Sequence, residues 1–427
     1  TVEVLPLSRR SLPGEGAGGW GMTRVLFVNS GILGHASVSR LFREVAERDP
    51  EIDATHLDLS AELTTAERVI RRVMCAGPAP GSSAAASLAL PRFRHELHAG
   101  VLAARRIGAL EREGKAFDVI HFHTQATAYA SLGRMKRTRS VVSIDVTQRL
   151  ASGQVPAGLA RLDYAPNAAM DRRVFRAAAA ITATSRWAAD DLLRDQPELA
   201  ERVHVMPYPV PLDGFDAGWV AQRAARNPLR PVRVLFIGGD WVRKGGPQLL
   251  EAWRAGGFAE RAALDVVSDS PLVTPLDAGS LNVYRGVRAY TPEWFELWRH
   301  ADVFAMPTRG EAFGMVFQEA AAAGLPAVGT RIAAVPEIVQ HGATGLLVAP
   351  DDPRALADAL RRLVDDAALR ARLGGAARAR IEQIASFDRY AARLGAILRG
   401  SAGDQVPSAE DRVPGPEERH AGDPPDT

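Results

Sequence analysis

Glu311 and Glu319 stand with seven residues between them in the run Gly310-Glu311-Ala312-Phe313-Gly314-Met315-Val316-Phe317-Gln318-Glu319. Helix-favouring apolar sequence runs from Val316 to Ala323 and closes at Gly324, a fitting C′ glycine. This spacing puts Glu311 in the loop ahead of a helix and Glu319 about two turns along it. Between the carboxylates, the N–H groups of Phe313, Gly314, Met315 and Val316 crown the helix start. Partial positive charge there suits phosphate or sugar oxygens. A glutamate pair that only complements a helix dipole is the competing reading, and the surrounding residues weigh against it.

The basic counterpart lies upstream. An apolar strand, Val232 to Ile237, enters Gly238-Gly239-Asp240-Trp241-Val242-Arg243-Lys244-Gly245-Gly246-Pro247. Pro247 suits the first turn of a helix over Gln248 to Trp253. Arg243 and Lys244 therefore stand beside a second helix start, the combination expected for a diphosphate. The chain holds only three lysines, Lys115, Lys136 and Lys244, against 52 Lys plus Arg, which makes a lysine at this turn worth noticing. A solvated basic turn is the alternative.

A third group ends a strand in the first half, Asp118-Val119-Ile120-His121-Phe122-His123. Alternation puts His121 and His123 on one face, and ligands of open α/β sheets collect at the carboxyl ends of strands. His121 reads as a satisfied buried imidazole. His123 has two readings, a buried imidazole or a cleft group. Two histidines alone lack the further ligands a metal needs.

Gly324-Leu325-Pro326-Ala327-Val328-Gly329-Thr330, Val335-Pro336-Glu337-Ile338-Val339 and His341-Gly342-Ala343-Thr344-Gly345-Leu346-Leu347-Val348 follow the glutamate pair. In this context the chain resembles the nucleotide-sugar-dependent retaining glycosyltransferases of family four, from about Arg24 to Leu398. The resemblance implies the GT-B architecture: two doubly wound, Rossmann-like α/β domains facing across a cleft. It implies that Arg243 and Lys244 neutralise a departing diphosphate, that Glu319 holds ribose hydroxyls, and that Glu311 with the N–H groups of Phe313, Gly314 and Met315 holds the donor sugar. His123 would lie near that sugar, Gly34 near the donor phosphate, Val316 at the helix start, and the backbone around Tyr290 against the base. The donor is expected to be a nucleoside diphosphate sugar, UDP-linked, and the acceptor a hydroxyl of a small molecule or cell-envelope glycan. Front-side chemistry without metal or separate cofactor follows from the same likeness. The chain departs from the pattern at Asp145, where His-Asp is frequent, and at Gly239-Asp240, where many relatives carry Gly-Arg. A nucleotide-sugar 2-epimerase and a non-catalytic carbohydrate-binding protein share the architecture. Lys244, Glu311 and Glu319 together weigh against the second.

Positioning these groups takes a large fold. A chain of 427 residues, 46% hydrophobic, favours two domains. β-like runs at Arg24–Asn29, Ala54–Leu59, Val119–His123, Val141–Val146, Ala180–Thr184 and Val203–Tyr208 alternate with helical patterns at Ala61–Met74, Phe93–Arg112 and Ala168–Ala178. That alternation predicts a parallel sheet covered on both faces. Pro207-Tyr208-Pro209 is a stiff crossing and Asp213 to Arg230 reads as linker, dividing an acceptor-side domain (22–212) from a donor-binding one (213–386). Strands at Leu264–Val267, Asn282–Val287 and Val303–Pro307 and a helix at Ala355–Leu363 continue it, and a helix over 387–400 crosses back. Residues 1–21 and 401–427 read as disordered, and Ala76 to Ser83 as an acceptor-side lid.

The net charge of +2 gives no case for nucleic acid. A single cysteine, Cys75, precludes an internal disulfide and fits a reducing cytoplasm. No apolar run reaches membrane-spanning length, so a soluble, cytoplasmic protein is expected, with peripheral membrane contact not indicated.

Overall fold

The computed structural model describes residues 22–30, 35–60, 63–75, 90–155, 159–226, 230–271 and 280–401. Gly34, the Ala76–Ser83 loop, the leader and the tail beyond Ser401 lie outside the described residues.

Two six-stranded sheets carry the fold, and every strand pairing is parallel. The first contains β1 (Thr23–Asn29), β2 (Ile52–Asp58), β3 (Val119–His123), β4 (Arg139–Ile144), β5 (Ala180–Ala183) and β6 (Val203–Val205), in the order β2-β1-β3-β4-β5-β6. The second contains β7 (Val232–Ile237), β8 (Ala262–Val267), β9 (Leu281–Tyr284), β10 (Val303–Met306), β11 (Ala327–Thr330) and β12 (Gly345–Val348), ordered β12-β11-β10-β7-β8-β9. In each sheet the chain starts in the middle, builds outwards, then returns past its first strand. The winding reverses between β1 and β3 and again between β7 and β10, and a crevice opens at the carboxyl ends at each reversal.

Strand alternation sorts the core. Val25 and Phe27 of β1 join one apolar cluster while Leu26 and Val28 join another on the opposite face; all four are fully buried. The first cluster runs without a break through Met206, Tyr208 and Val210 and the helix Phe387–Arg399 into the second domain. That last helix rests on the first domain: Arg48 stacks on Phe387, Arg139 donates to the Ile397 carbonyl at 3.1 Å, and Arg399 pairs with Asp49 and Glu51.

The stretch after Val210 corrects the linker reading. A short turn at Leu212–Gly214 and a helix at Trp219–Ala224 occupy it, and Phe215 and Trp219 are buried. Phe215 meets Trp294 and Trp298 edge-on, so this segment is tied into the second domain by aromatic packing. Arg223 adds hydrogen bonds to the carbonyls of Ala301 and Trp298.

Candidate active site

The reversal between β7 and β10 brings two loops together. β7 runs into Gly238–Gly245 and β10 into Pro307–Gly314. Gly245 has a φ of +80°, and a Cβ there would sit 1.9 Å from the Pro307 carbonyl oxygen, so only glycine lets the loops touch. The Arg309 N–H donates to the Arg243 carbonyl at 2.8 Å, and Arg243 Nη1 donates to the Gly310 carbonyl at 2.8 Å. These bonds bring Lys244 against Glu311, and their side chains, 15% and 10% exposed, form an ion pair. Arg243 also pairs with Asp240, Nε to Oδ2 at 3.1 Å, so the acidic residue that departs from the expected Gly-Arg is matched by a guanidinium three residues on.

Pro247 opens the helix Gly246–Gly256, as its fixed φ favours. The glutamate helix spans Met315–Ala322, one residue earlier than the sequence pattern gave, with Gly324 at φ +69° beyond its end. Its N-cap is Gly314, at φ +89°, which offers no side-chain cap. The first turn, including Met315 and Val316, is thus held by backbone alone, and Glu311 Oε1 accepts the Ala312 N–H at 3.1 Å. Glu319 is the fifth residue of this helix, just over one turn in rather than two. It is 8% exposed, and burial pushes its carboxyl up to about 7 despite the hydrogen bond donated by Tyr290 Oη at 2.8 Å. Tyr290 itself holds a left-handed backbone, φ +66°, immediately before the helix Pro292–His300. The structure therefore groups Lys244, Arg243 and Glu311 around one crevice, with Glu319 and Tyr290 one helical turn away.

His123 ends β3 beside Asn29 of β1, at the first sheet's reversal. It is fully buried, under the cleft rather than on its open wall, and its Nε2 lies 3.0 Å from Tyr208 Oη. Tyr208 Oη donates to Asp145 Oδ1 at 2.8 Å, leaving its oxygen to accept from His123 Nε2–H. Asp145 thus has a partner that no motif announced, the tyrosine of the crossing segment. Tyr208 reaches the second domain too, through a ring contact with Phe313 and a carbonyl that accepts from Gln318 Nε2 at 3.0 Å. His121 shares the face of His123, packs on Phe42 and bonds Ser143 at 2.7 Å; burial lowers its pKa to about 3, so it stays neutral.

Across the cleft, Gln154 Nε2 donates to the Glu311 carbonyl at 2.7 Å. Gln154 follows the short helix Gln148–Gly153, itself capped by Thr147 and tied by Arg149 to Asp191. Its role was invisible in the sequence, where nothing marks a lone glutamine in a loop. Among the described residues no group of three or more His, Cys, Asp or Glu is placed to hold a metal ion, and no helix is long and apolar enough to cross a membrane.

Two doubly wound parallel sheets, each with its winding reversed beside its first strand, make this the GT-B fold. Solved structures share the fold. The sucrose-phosphate synthase of Thermosynechococcus elongatus matches 90% of this chain and 100% of its own at TM-score 0.63 and 18% identity. Anabaena HepE, solved in complex with UDP-glucose, matches 88% of this chain and 99% of its own at TM-score 0.61 and 17% identity. The sequence model described as "Glycosyltransferase Family 4" matches residues 58–213, and "Glycosyl transferases group 1" matches residues 231–366. A D-inositol 3-phosphate glycosyltransferase from Xylanimonas cellulosilytica is 30% identical over 312 residues, 66% of this chain and 72% of that protein. The chain belongs to the family-four glycosyltransferases.

Proposed function

We propose that this glycosyltransferase moves a sugar from a UDP-linked donor to a hydroxyl of a small-molecule or cell-envelope glycan acceptor, with retention at the anomeric carbon. The observation that carries the reading is the Lys244–Glu311 pair, set where β7 and β10 part and beside the start of the Met315–Ala322 helix. A donor diphosphate accepts from Lys244 and Arg243, and this releases Glu311 to take a hydrogen bond from a sugar hydroxyl. The N–H groups of Phe313, Gly314 and Met315 join it. Glu319 accepts from the ribose diol in its ionised form, with Tyr290 holding one oxygen in place.

Neutralising the departing diphosphate is the main chemical task. Fixed cations and an uncapped helix start do this without reorganising as charge develops. His123, buried beneath the cleft, acts through its bond to Tyr208 and the Tyr208–Asp145 contact rather than by touching the donor sugar. Turnover is expected without added divalent metal. The similar proteins support the donor and acceptor classes: HepE was solved with UDP-glucose, and the Xylanimonas relative is named for a phosphorylated cyclitol.

The test is a panel of UDP, GDP and ADP, read as the rise in melting temperature. A rise confined to UDP, lost in Lys244→Ala, supports the reading. Equal response to all three, or none, removes the UDP assignment.

A further inference from the structure

Beside the crossing segment lies a cavity of about 380 Å³, with walls from the first domain, the second domain and the returning helix. Phe313 stands between it and the donor crevice, and Lys244, Arg243, Glu311, Glu319 and Tyr290 do not line it. Its charged lining is one-sided. Arg186, Arg380, Arg389 and Arg393 border it, with Glu337 as the single carboxylate.

Glu337 is already committed. It reaches from the second domain to cap a helix of the first, accepting the N–H groups of Arg186 and Trp187 at 2.8 Å each. Arg380 Nη2 donates to the Glu337 carbonyl, and Arg393 Nη1 to that of Val205, both at 3.2 Å. A neutral carbonyl orients the Arg380 guanidinium without cancelling its charge. Two polar atoms in the lining are buried and have no hydrogen-bond partner, Arg380 Nε and Gln318 Oε1. Gln318 is 1% exposed, and its other amide atom is fixed by the Tyr208 carbonyl, so the bare oxygen keeps its orientation. A buried acceptor of this kind is answered by a hydroxyl donor.

We propose that this cavity is a binding site, separate from the donor crevice, for a small hydroxylated organic phosphate. The phosphate meets the guanidinium groups of Arg380 and Arg389, where planar donor pairs match its oxygens, and a hydroxyl of the ligand donates to Gln318 Oε1. Because both domains and the returning helix form its walls, a bound ligand ties the domains in the arrangement described above. The site does not depend on the transferase reading.

The experiment is calorimetric titration of sn-glycerol 3-phosphate, with inorganic phosphate alongside, into wild type, Lys244→Ala and Arg380→Gln/Arg389→Gln. Arg389 is exposed, so Arg389→Glu serves as a second variant that should fold unaltered. Binding that persists in Lys244→Ala, is weakened by about tenfold or more in the arginine variants, and is tighter for glycerol 3-phosphate than for inorganic phosphate supports the proposal. Binding abolished by Lys244→Ala would place the anion in the donor crevice instead. Affinity unchanged in Arg389→Glu, no preference for glycerol 3-phosphate over inorganic phosphate, or no heat up to about 10 mM ligand, overturns it.

Discussion

Glu319→Gln should make the protein more stable at alkaline pH and a poorer binder of donor. The Glu319 carboxyl rises from an ordinary value of 4.5 to about 7 because burial disfavours its charge. A carboxylate raised in this way keeps its proton in the folded state while the unfolded chain has lost it. Folding stability therefore falls as pH climbs from about 4.5 to about 7 and stays reduced above that. A rise from 4.5 to about 7 corresponds to a loss on the order of 3 kcal/mol at pH 8. Glutamine has the shape of the protonated acid and can still accept from Tyr290 Oη. At pH 5 the variant and wild type should match. At pH 8 the variant should melt several degrees higher. The same substitution removes the charged acceptor for the ribose diol, which should cost about 1.5–3 kcal/mol of UDP binding. Wild-type affinity for UDP should climb with pH up to about 7 more steeply than the variant's, whose remaining slope belongs to the terminal phosphate of UDP. Thermal melts and titrations with UDP at both pH values test both halves. A variant that is less stable at pH 8, or whose affinity follows the same pH curve as wild type, would refute the reasoning.

Lys244→Ala leaves the Glu311 carboxylate, 10% exposed, without its cation; UDP affinity should fall by about ten- to a hundredfold and turnover further, measured by calorimetry and UDP release. Gly245→Ala cannot fit beside the Pro307 carbonyl at φ +80°, so it should separate the two crevice loops, and a lowered melting temperature with loss of UDP binding checks it. His123→Ala should cut transfer by one to several powers of ten with UDP binding nearly unchanged. Tyr208→Phe, which removes only the hydroxyl shared by His123 and Asp145, should reproduce part of that loss; a histidine that is merely structural would instead lower the melting temperature with activity falling in proportion.

The two sheets were legible because buried parallel strands leave short apolar runs between helical stretches, as at Val232–Ile237 and Val119–His123. Lys244 and Glu311 could each be singled out, since each sits in a glycine-bearing loop next to a helix. Their pairing could not, because it depends on the reversal between β7 and β10 and on the contact at Gly245. Tyr208 was read as part of a stiff crossing between prolines; its hydroxyl bonds to His123 and Asp145 join residues far apart in sequence. The linker reading failed at Phe215 and Trp219 for a related reason. Two aromatics in a polar stretch show no periodicity, yet the tryptophans of the Pro292–His300 helix take up Phe215, and Trp219 packs on Phe215 in turn.

Proton NMR of the reaction itself tests the assigned chemistry most directly. Wild type is supplied with UDP-glucose and a panel of polyol and phosphorylated polyol acceptors, and the product's anomeric signal is compared with the donor's. Retention requires an α-linked product from the α-linked donor, formed one for one with UDP and absent in Lys244→Ala. A β-linked product, or conversion of the donor to its epimer with no acceptor present, would contradict retaining transfer at this crevice.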